Sequence, residues 1–349
     1  MRSTASRILR AGRLAAVATI AAGALVLSGC AATDPAPSNT DGSQGPIDLT
    51  VAYGNSAANY LNMYVAWKQG FFEENGLNVD QPFNAQQSGA VDVLLSGDAD
   101  VIIEGGPQVL TAVGAGADLK ILGSTVNKYT FVVLSPTNIS SLDDLVGKKL
   151  AISAPGGSVS RSAAVLLENK GLSDKVELQS IADLATRLAA LQQGQVDGIV
   201  ISPPVKQLTD TGDFHVIYDM TEDPDMEFVL TSIATTGKFL DANPEALRRF
   251  ILSLYQAEQW IRDPANRDAA LADLAELTGT EDAGALEEGL DYQLKAGEKD
   301  LQFSQKAMDA SVKQVENSEE ITLDLDGVID LDILTEVLKS VGVDQVIRD

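Results

Sequence analysis

Cysteine and histidine occur once each in these 349 residues, and that scarcity removes much chemistry at the outset. A single cysteine, Cys30, leaves no partner for an intramolecular disulfide and none for a cysteine-based metal cage. The single histidine, His215, follows Asp213-Phe214 and precedes Val216, as if at the start of a strand. No Ser-His-Asp set and no metal-ligand spacing can be assembled around it, so neither a metal nor a catalytic residue is expected. Basic residues are also few, 25 against 50 acidic ones, and four arginines precede Cys30. Setting those four aside leaves 21 basic residues against 50, a formal charge of −29. Such a surface repels nucleic acid and anionic headgroups, so neither is an expected partner. Long apolar runs are missing too. The run from Leu14 to Leu27 falls short of the about 20 residues that span a bilayer. With 45% hydrophobic residues, structure must come from apolar burial.

What the N-terminal region does contain is ordered. Arg2, Arg7, Arg10 and Arg13 come first with no acidic residue, then the Ala-, Val- and Leu-rich run, then Leu27-Ser28-Gly29-Cys30. A basic start, a short apolar core and small residues before a cut are the parts of a secretory signal. No Ala-x-Ala site ends it. The segment instead resembles a bacterial lipoprotein signal, in which the cysteine is lipidated and becomes the mature N-terminus. Residues 1–29 are then the signal, Cys30 the lipidation site, and 30–46 a flexible tether rich in Pro, Ser, Gly and Asp. Acyl chains of the palmitate type on Cys30 hold a protein on a bilayer. The expected location is the bacterial cell membrane, facing the periplasm or the cell exterior.

From Ile47 onward β-type runs alternate with helix-type segments. Strands are expected at 47–53, 77–79, 101–103, 120–126, 131–134, 149–153, 176–179, 198–201, 215–218 and 228–234. Helices are expected at 57–69, 87–96, 107–114, 159–170 and 183–193, and after residue 238 at 244–262, 267–278, 283–295, 304–317 and 331–341. Alternation of this kind implies an α/β fold with largely parallel sheets. Two stretches also repeat one plan. VLLSGDADVIIEGGP (93–107) and AALQQGQVDGIVISPP (189–204) each run from a helix end through Gly and Asp to an apolar strand and a Pro. Gly97 matches Gly194, Asp100 matches Asp197, and Pro107 matches Pro204. The Gly suits a helix end and the Asp a turn into the strand, which suggests two similarly built lobes.

The run Ala66-Trp67-Lys68-Gln69-Gly70-Phe71-Phe72-Glu73-Glu74-Asn75-Gly76-Leu77-Asn78-Val79 resembles a stretch of the solute-binding proteins of ABC importers. The branch is the one that handles sulfonates, nitrate, taurine, aromatic carboxylates and thiamine-type pyrimidines. The likeness continues in order through Ser96–Asp100, Leu142–Ser153 and Gly194–Asp197. It implies a two-lobed periplasmic-binding-protein fold of type II, each lobe a mixed sheet flanked by helices, with a ligand cleft between the lobes. Residues 47–124 plus 237–349 would form one lobe and 135–227 the other, with hinges near 125–134 and 228–236. The Gly70-Phe71-Phe72 motif itself reads as architecture: glycines for positive backbone torsion and phenylalanines for the core.

A ligand in such a sheet lies beyond the carboxyl ends of the strands. After the first strand, Asn55, Ser56, Asn59 and Tyr60 offer amides, a hydroxyl and an aromatic face, although Asn55 and Ser56 equally suit helix capping. Gln87 and Ser88 open the next helix, and Glu104 and Gly105 follow an apolar strand. On the other lobe Ser153, Gly156, Gly157, Ser158 and Arg161 bring a glycine turn, a helix start and a guanidinium that suits a carboxylate or sulfonate. Asp183 and Ser202 complete the candidates, Asp183 also being a natural helix cap. The function expected is therefore capture of a small organic ligand (sulfonate, aromatic carboxylate, pyrimidine or similar) and its delivery by a lipid-anchored monomer to an ABC permease. No cofactor is expected. A ligand-presenting lipoprotein for a sensor stays open as an alternative. So does an enzyme like the thiamine-pyrimidine synthase that shares this architecture, although that chemistry uses lysine, histidine and a cysteine-rich motif.

Overall fold

The structure, a computed structural model, describes residues 45–155 and 157–343. In chain order its strands are β1 (Ile47–Asp48), β2 (Val51–Tyr53), β3 (Leu77–Asn78), β4 (Phe83–Asn84), β5 (Val101–Glu104), β6 (Leu119–Lys128), β7 (Val132–Pro136), β8 (Lys149–Ile152), β9 (Glu177–Ser180), β10 (Gly198–Ile201), β11 (Phe214–Asp219) and β12 (Glu227–Thr236). One five-stranded sheet runs β4-β2-β5-β12-β6 and another β11-β7-β10-β8-β9, while β1 and β3 form a small ribbon. In the first, β2 is parallel to β4 and β5, and β12 is antiparallel to β5 and β6. In the second, β8 is parallel to β9 and β10, and β7 is antiparallel to β10 and β11. Both sheets are mixed, as the resemblance implies, with as many antiparallel as parallel pairings where the alternation of elements suggests largely parallel sheets. The reason is that β7 and β12, the strands that follow the crossings between the sheets, run back along them. The architecture is the two-lobed periplasmic-binding-protein fold.

The inner parallel strands β5 and β10 are short and apolar because helices cover both faces. Val101–Ile103 and Gly198–Ile201 are buried throughout, the pattern of parallel strands with no solvent side. The sequence echo is also a structural one. Gly97 and Gly194 both take left-handed torsion, φ 84° and 67°, as the chain leaves a helix. Asp100 then accepts from Thr50 N at 2.8 Å and Asp197 from Lys149 N at 3.0 Å. Each aspartate thus pins the start of the parallel strand beside its own.

The helices after residue 237 pack on the first sheet. In helix Pro244–Arg262, Leu247, Phe250, Ile251 and Leu254 join Tyr53, Val101 and Ile103 in one apolar cluster. Phe72 stacks on Phe250 with ring centroids 5.5 Å apart, so the Gly70-Phe71-Phe72 turn plugs that core. Gly76 adopts φ 72°, and its carbonyl accepts from Arg249 Nη1 at 3.0 Å. Helices at 244–262 and 267–278 fall where the sequence places them. The short strand β4 and the short helices Phe71–Glu74, Lys206–Thr209 and Gly237–Ala242 were not legible; a few residues carry too little periodicity.

The chain passes from the first sheet to the second through Tyr129–Phe131 and returns through the turns Met220–Glu222 and Pro224–Met226. The hinge segments expected at 125–134 and 228–236 overlap β6, β7 and β12. A third link is helix Ala283–Ala296. Its Leu290 is buried in the first sheet's cluster. Its Glu288 accepts from Val205 N at 2.8 Å and Lys206 N at 2.7 Å. Tyr292 Oη and Lys295 Nζ donate to Asp219 Oδ2 at 3.1 and 2.7 Å, so the helix grips the second sheet's periphery. Among the described residues, no helix is long and apolar enough to cross a membrane.

Candidate functional site

A cleft of about 1140 Å³ lies where the carboxyl ends of the parallel strands of both sheets converge. Its first wall begins after β2, where Asn55 and the 3₁₀ turn Ala58–Tyr60 supply Asn59 and Tyr60. Glu104 and Gly105 follow β5. Glu104 Oε1 accepts from Gly105 N at 2.6 Å. Its carboxylate and the Tyr60 hydroxyl converge over the bare α-carbon of Gly54, where a Cβ would stand 2.6 Å from Glu104 Oε2 and 2.7 Å from Tyr60 Oη. Burial raises the pKa of Glu104, with the Gly105 N–H working the other way. Tyr60 is also held above its ordinary value, first by burial and then by the Glu104 charge.

The second wall is built from the turn after β8 and from the loop after β10. Gly157, Ser158 and Arg161 line it together with Ser202. Gly157 caps helix Ser158–Asn169 with no side-chain bond to the first amides, which leaves those N–H groups unspent where Gly157 and Ser158 line the cleft. Arg161 is half-buried, and no carboxylate among the described residues pairs with it. Between the walls lie the crossing segments. Tyr129 stacks on Phe228 with centroids 4.3 Å apart, Phe131 tilts beside it, and Tyr129 Oη donates to Gln314 Oε1 at 2.7 Å. Burial raises the pKa of Tyr129, and the nearby Arg161 charge opposes that shift.

The structure thus gathers Asn55, Asn59, Tyr60, Glu104, Gly105, Gly157, Ser158, Arg161 and Ser202 around one cavity. Five other candidates stand outside its lining. Ser56 accepts from Asn84 Nδ2 at 2.9 Å, tying two loops of the first wall. Gln87 and Ser88 are exposed in the turn that precedes helix Ala90–Ser96. The Ser153 carbonyl accepts from Ser180 Oγ at 3.0 Å. Asp183 caps helix Leu184–Gln192, accepting from Thr186 N and Oγ1 at 2.8 and 2.6 Å, so its carboxylate serves the helix. Gly156 and Cys30 lie outside the described residues. A ring nitrogen of His215 donates to the Ile139 carbonyl, a structural contact apart from the cleft lining.

Several lining residues were not singled out from sequence: Tyr129, Phe131 and Phe228 at the crossings, Asp92, and Gln314 from the far C-terminal region. Aromatic residues at the two crossings were the available signal for the first three. Nothing local marks Gln314, which reaches the cleft only because helix Gln305–Glu319 packs along β12. Among the described residues, no group of three or more His, Cys, Asp or Glu side chains is arranged to hold a metal.

Comparison with known proteins fixes the class. The model of the "NMT1/THI5 like" family matches residues 57–266, well over half of the chain, and the protein belongs to that family. A Bacillus subtilis protein named as a binding protein, YtlA, is 23% identical over 216 residues, which are 60% of this chain and 64% of that protein's own length. Among solved structures, the periplasmic aliphatic sulphonate binding protein SsuA of Escherichia coli superposes with a TM-score of 0.66 at 19% identity, over 83% of this chain and 99% of that one. The desulfurization enzyme DSZB superposes with a TM-score of 0.60 at 18% identity, over 83% and 99%. Binding proteins and an enzyme therefore share this fold, and the choice between them rests on the site.

Proposed function

We propose that this protein is a non-enzymatic solute receptor, anchored by lipid on Cys30, that captures one small organic molecule and delivers it to an ABC import permease. The observation that carries the reading is the cleft itself. Strand ends from both sheets converge on it, with Glu104 from one wall and Arg161 from the other. A solute that touches both walls favours the arrangement that brings them together, which is the logic of lobe closure about the crossings. The lobes would be 47–124 plus 237–349 and 135–227. Asn55, Asn59, Tyr60, Ser158 and Ser202 would supply the remaining polar contacts, and the receptor would act as a monomer facing the periplasm or the cell exterior.

An enzyme is the second reading, favoured by the likeness to DSZB. Against it, no histidine, cysteine or lysine lines the cleft among the described residues, and the one histidine is spent on a backbone carbonyl. The test is a thermal-shift screen of the purified mature chain across sulfonates, aromatic acids, pyrimidines and flavins, followed by mass spectrometry of the recovered compound. One equivalent bound and returned unchanged supports the receptor; conversion supports the enzyme. Cys30→Ser should abolish membrane attachment in cell fractions. Equal amounts of variant and wild type in the membrane fraction would contradict the anchor.

A further inference from the structure

Three charged side chains line the cleft among the described residues: Asp92, Glu104 and Arg161. Asp92 is exposed on helix Ala90–Ser96. Glu104 is different. It sits between Gly54, Tyr60 and Gly105, with one backbone N–H as its hydrogen-bond partner and no cation among the groups that act on it. A carboxylate taken out of water without a counter-charge is costly to the fold. Arg161 has the complementary condition on the opposite wall, half-buried and unpaired, beside amides of a helix start that no side chain caps. The two charges do not pair with each other. Aromatic and apolar groups (Tyr129, Phe131, Phe228 and Leu230) stand in the same cleft.

We propose that the solute is bipolar, with a positively charged nitrogen seated on Glu104 and Tyr60 and an acid group facing Arg161 and the Gly157–Ser158 amides. This deepens the receptor reading and rests on it. Each charge then meets its opposite only when one molecule spans both walls. A solute carrying one charge would leave the other wall's group half-buried and unpaired, which penalises single-sign ligands. Gly54 has a defined part in this, because its missing side chain is the space in which carboxylate and phenol face the cleft.

The experiment uses three compounds of one shape, 4-(aminomethyl)benzoate, 4-methylbenzoate and 4-methylbenzylamine, titrated by calorimetry. Alongside runs a thermal-shift library sorted into bipolar, anionic, cationic and neutral members. The bipolar member of the trio should bind at least about ten-fold tighter than either partner, as expected for one charge-assisted hydrogen bond. Glu104→Gln should remove its advantage over 4-methylbenzoate, and Arg161→Gln its advantage over 4-methylbenzylamine. If the trio is not bound, the charge class of the strongest library hits decides. Single-sign or neutral hits overturn the bipolar solute and leave the receptor standing, whereas no hit in any class overturns both. The ligand-free protein supplies a further measurement. Glu104→Gln keeps the acceptor for Gly105 N and removes an unpaired, half-buried charge, so it should melt at or about 1–3 °C above wild type. A large fall would make Glu104 a structural residue and overturn its role in binding.

Discussion

The two sheets are near copies in construction and opposites in what they present. Each sets a short, buried parallel strand behind a Gly-then-Asp turn, and each aspartate ties the neighbouring strand by one backbone N–H. Where β5 ends the chain offers Glu104, a carboxylate. Where β10 ends the chain offers Ile201 and Ser202, and the charge comes instead from Arg161 on a helix that starts after β8. Support differs as well: the helices after residue 237 thicken the first sheet's core, while the second sheet keeps two smaller clusters. A repeated chassis therefore fixes where strand ends converge, and the residues just beyond those ends decide the chemistry.

The comparison can be broken first at its glycines. A Cβ on Gly106, at the first sheet, would stand 2.5 Å from the Val229 carbonyl oxygen, a backbone atom that cannot step aside. At Gly198, in the second, it would meet Ser135 Oγ at 2.8 Å and Leu150 Cδ1 at 3.2 Å, side-chain atoms, and the Leu134 carbonyl oxygen only at 3.4 Å, so the tightest contacts there are with side chains rather than backbone. Urea unfolding should show Gly106→Ala losing about 3 kcal/mol and Gly198→Ala about 1 kcal/mol. Equal losses would mean that the two sheets yield alike.

Arg161→Ala should weaken solute binding by about 1.5–3 kcal/mol, roughly ten- to a hundred-fold, with the melting temperature of the ligand-free chain almost unchanged. Unchanged affinity in calorimetry would return Arg161 to the surface and leave the second wall without a charge to contribute.

The thicker core of the first region also hides an acid. Glu258, 1% exposed on helix Pro244–Arg262, is pushed by burial up to about 7, against the pull of Arg262, whose Nη2 lies 2.7 Å from Oε1. Arg262 aims its N–H groups at the carbonyls of Leu294 and Gly297, so the carboxylate is poorly satisfied. Between its ordinary 4.5 and about 7 the folded chain holds a proton that the unfolded chain has lost. Stability contributed by this site therefore falls as pH rises through that window, at up to about 1.4 kcal/mol per pH unit. Glu258→Gln should flatten the slope between those limits; an unaltered slope would place the proton elsewhere.

The smallest expected effects test the echo itself. Asp100→Ala and Asp197→Ala should each cost about 1 kcal/mol, the value of one partly exposed charge-assisted bond. A two-fold disparity would show that the matched aspartates carry different loads.

Much of this architecture was legible because the period-two and period-3.6 patterns are strong in strands of four residues or more and in helices of seven or more. Helices at 244–262 and 267–278 were read to the residue, and the matched aspartates announced two similarly built sheets. The site was legible only where it follows a strand. Glu104, Arg161 and Ser202 were found by that rule, and so were Gln87 and Ser88, which the turn after β4 leaves in solvent. Ser56 and Asp183 satisfied the same rule and are engaged elsewhere: Ser56 accepts from the Asn84 side chain of the neighbouring loop, and Asp183 caps its own helix, as short polar side chains near a helix start do. Gln314 shows the other limit: it is far along the chain, and packing rather than pattern brings it to Tyr129.

Helix Ala283–Ala296 gives the molecule a mechanical property that two crossings alone would not. A plate held at two points swings freely about the line that joins them. Here a rigid rod, bedded in the first sheet's core through Leu290, clamps the second plate at Val205, Lys206 and Asp219. In the proposed opening, rotation of one plate against the other would have to break these hydrogen bonds, at about 0.5–1.5 kcal/mol each, because one rod carries them all. The clamped loop starts at Ser202 on the cleft wall, so a lining residue of the cleft stands three positions from the clamp at Val205.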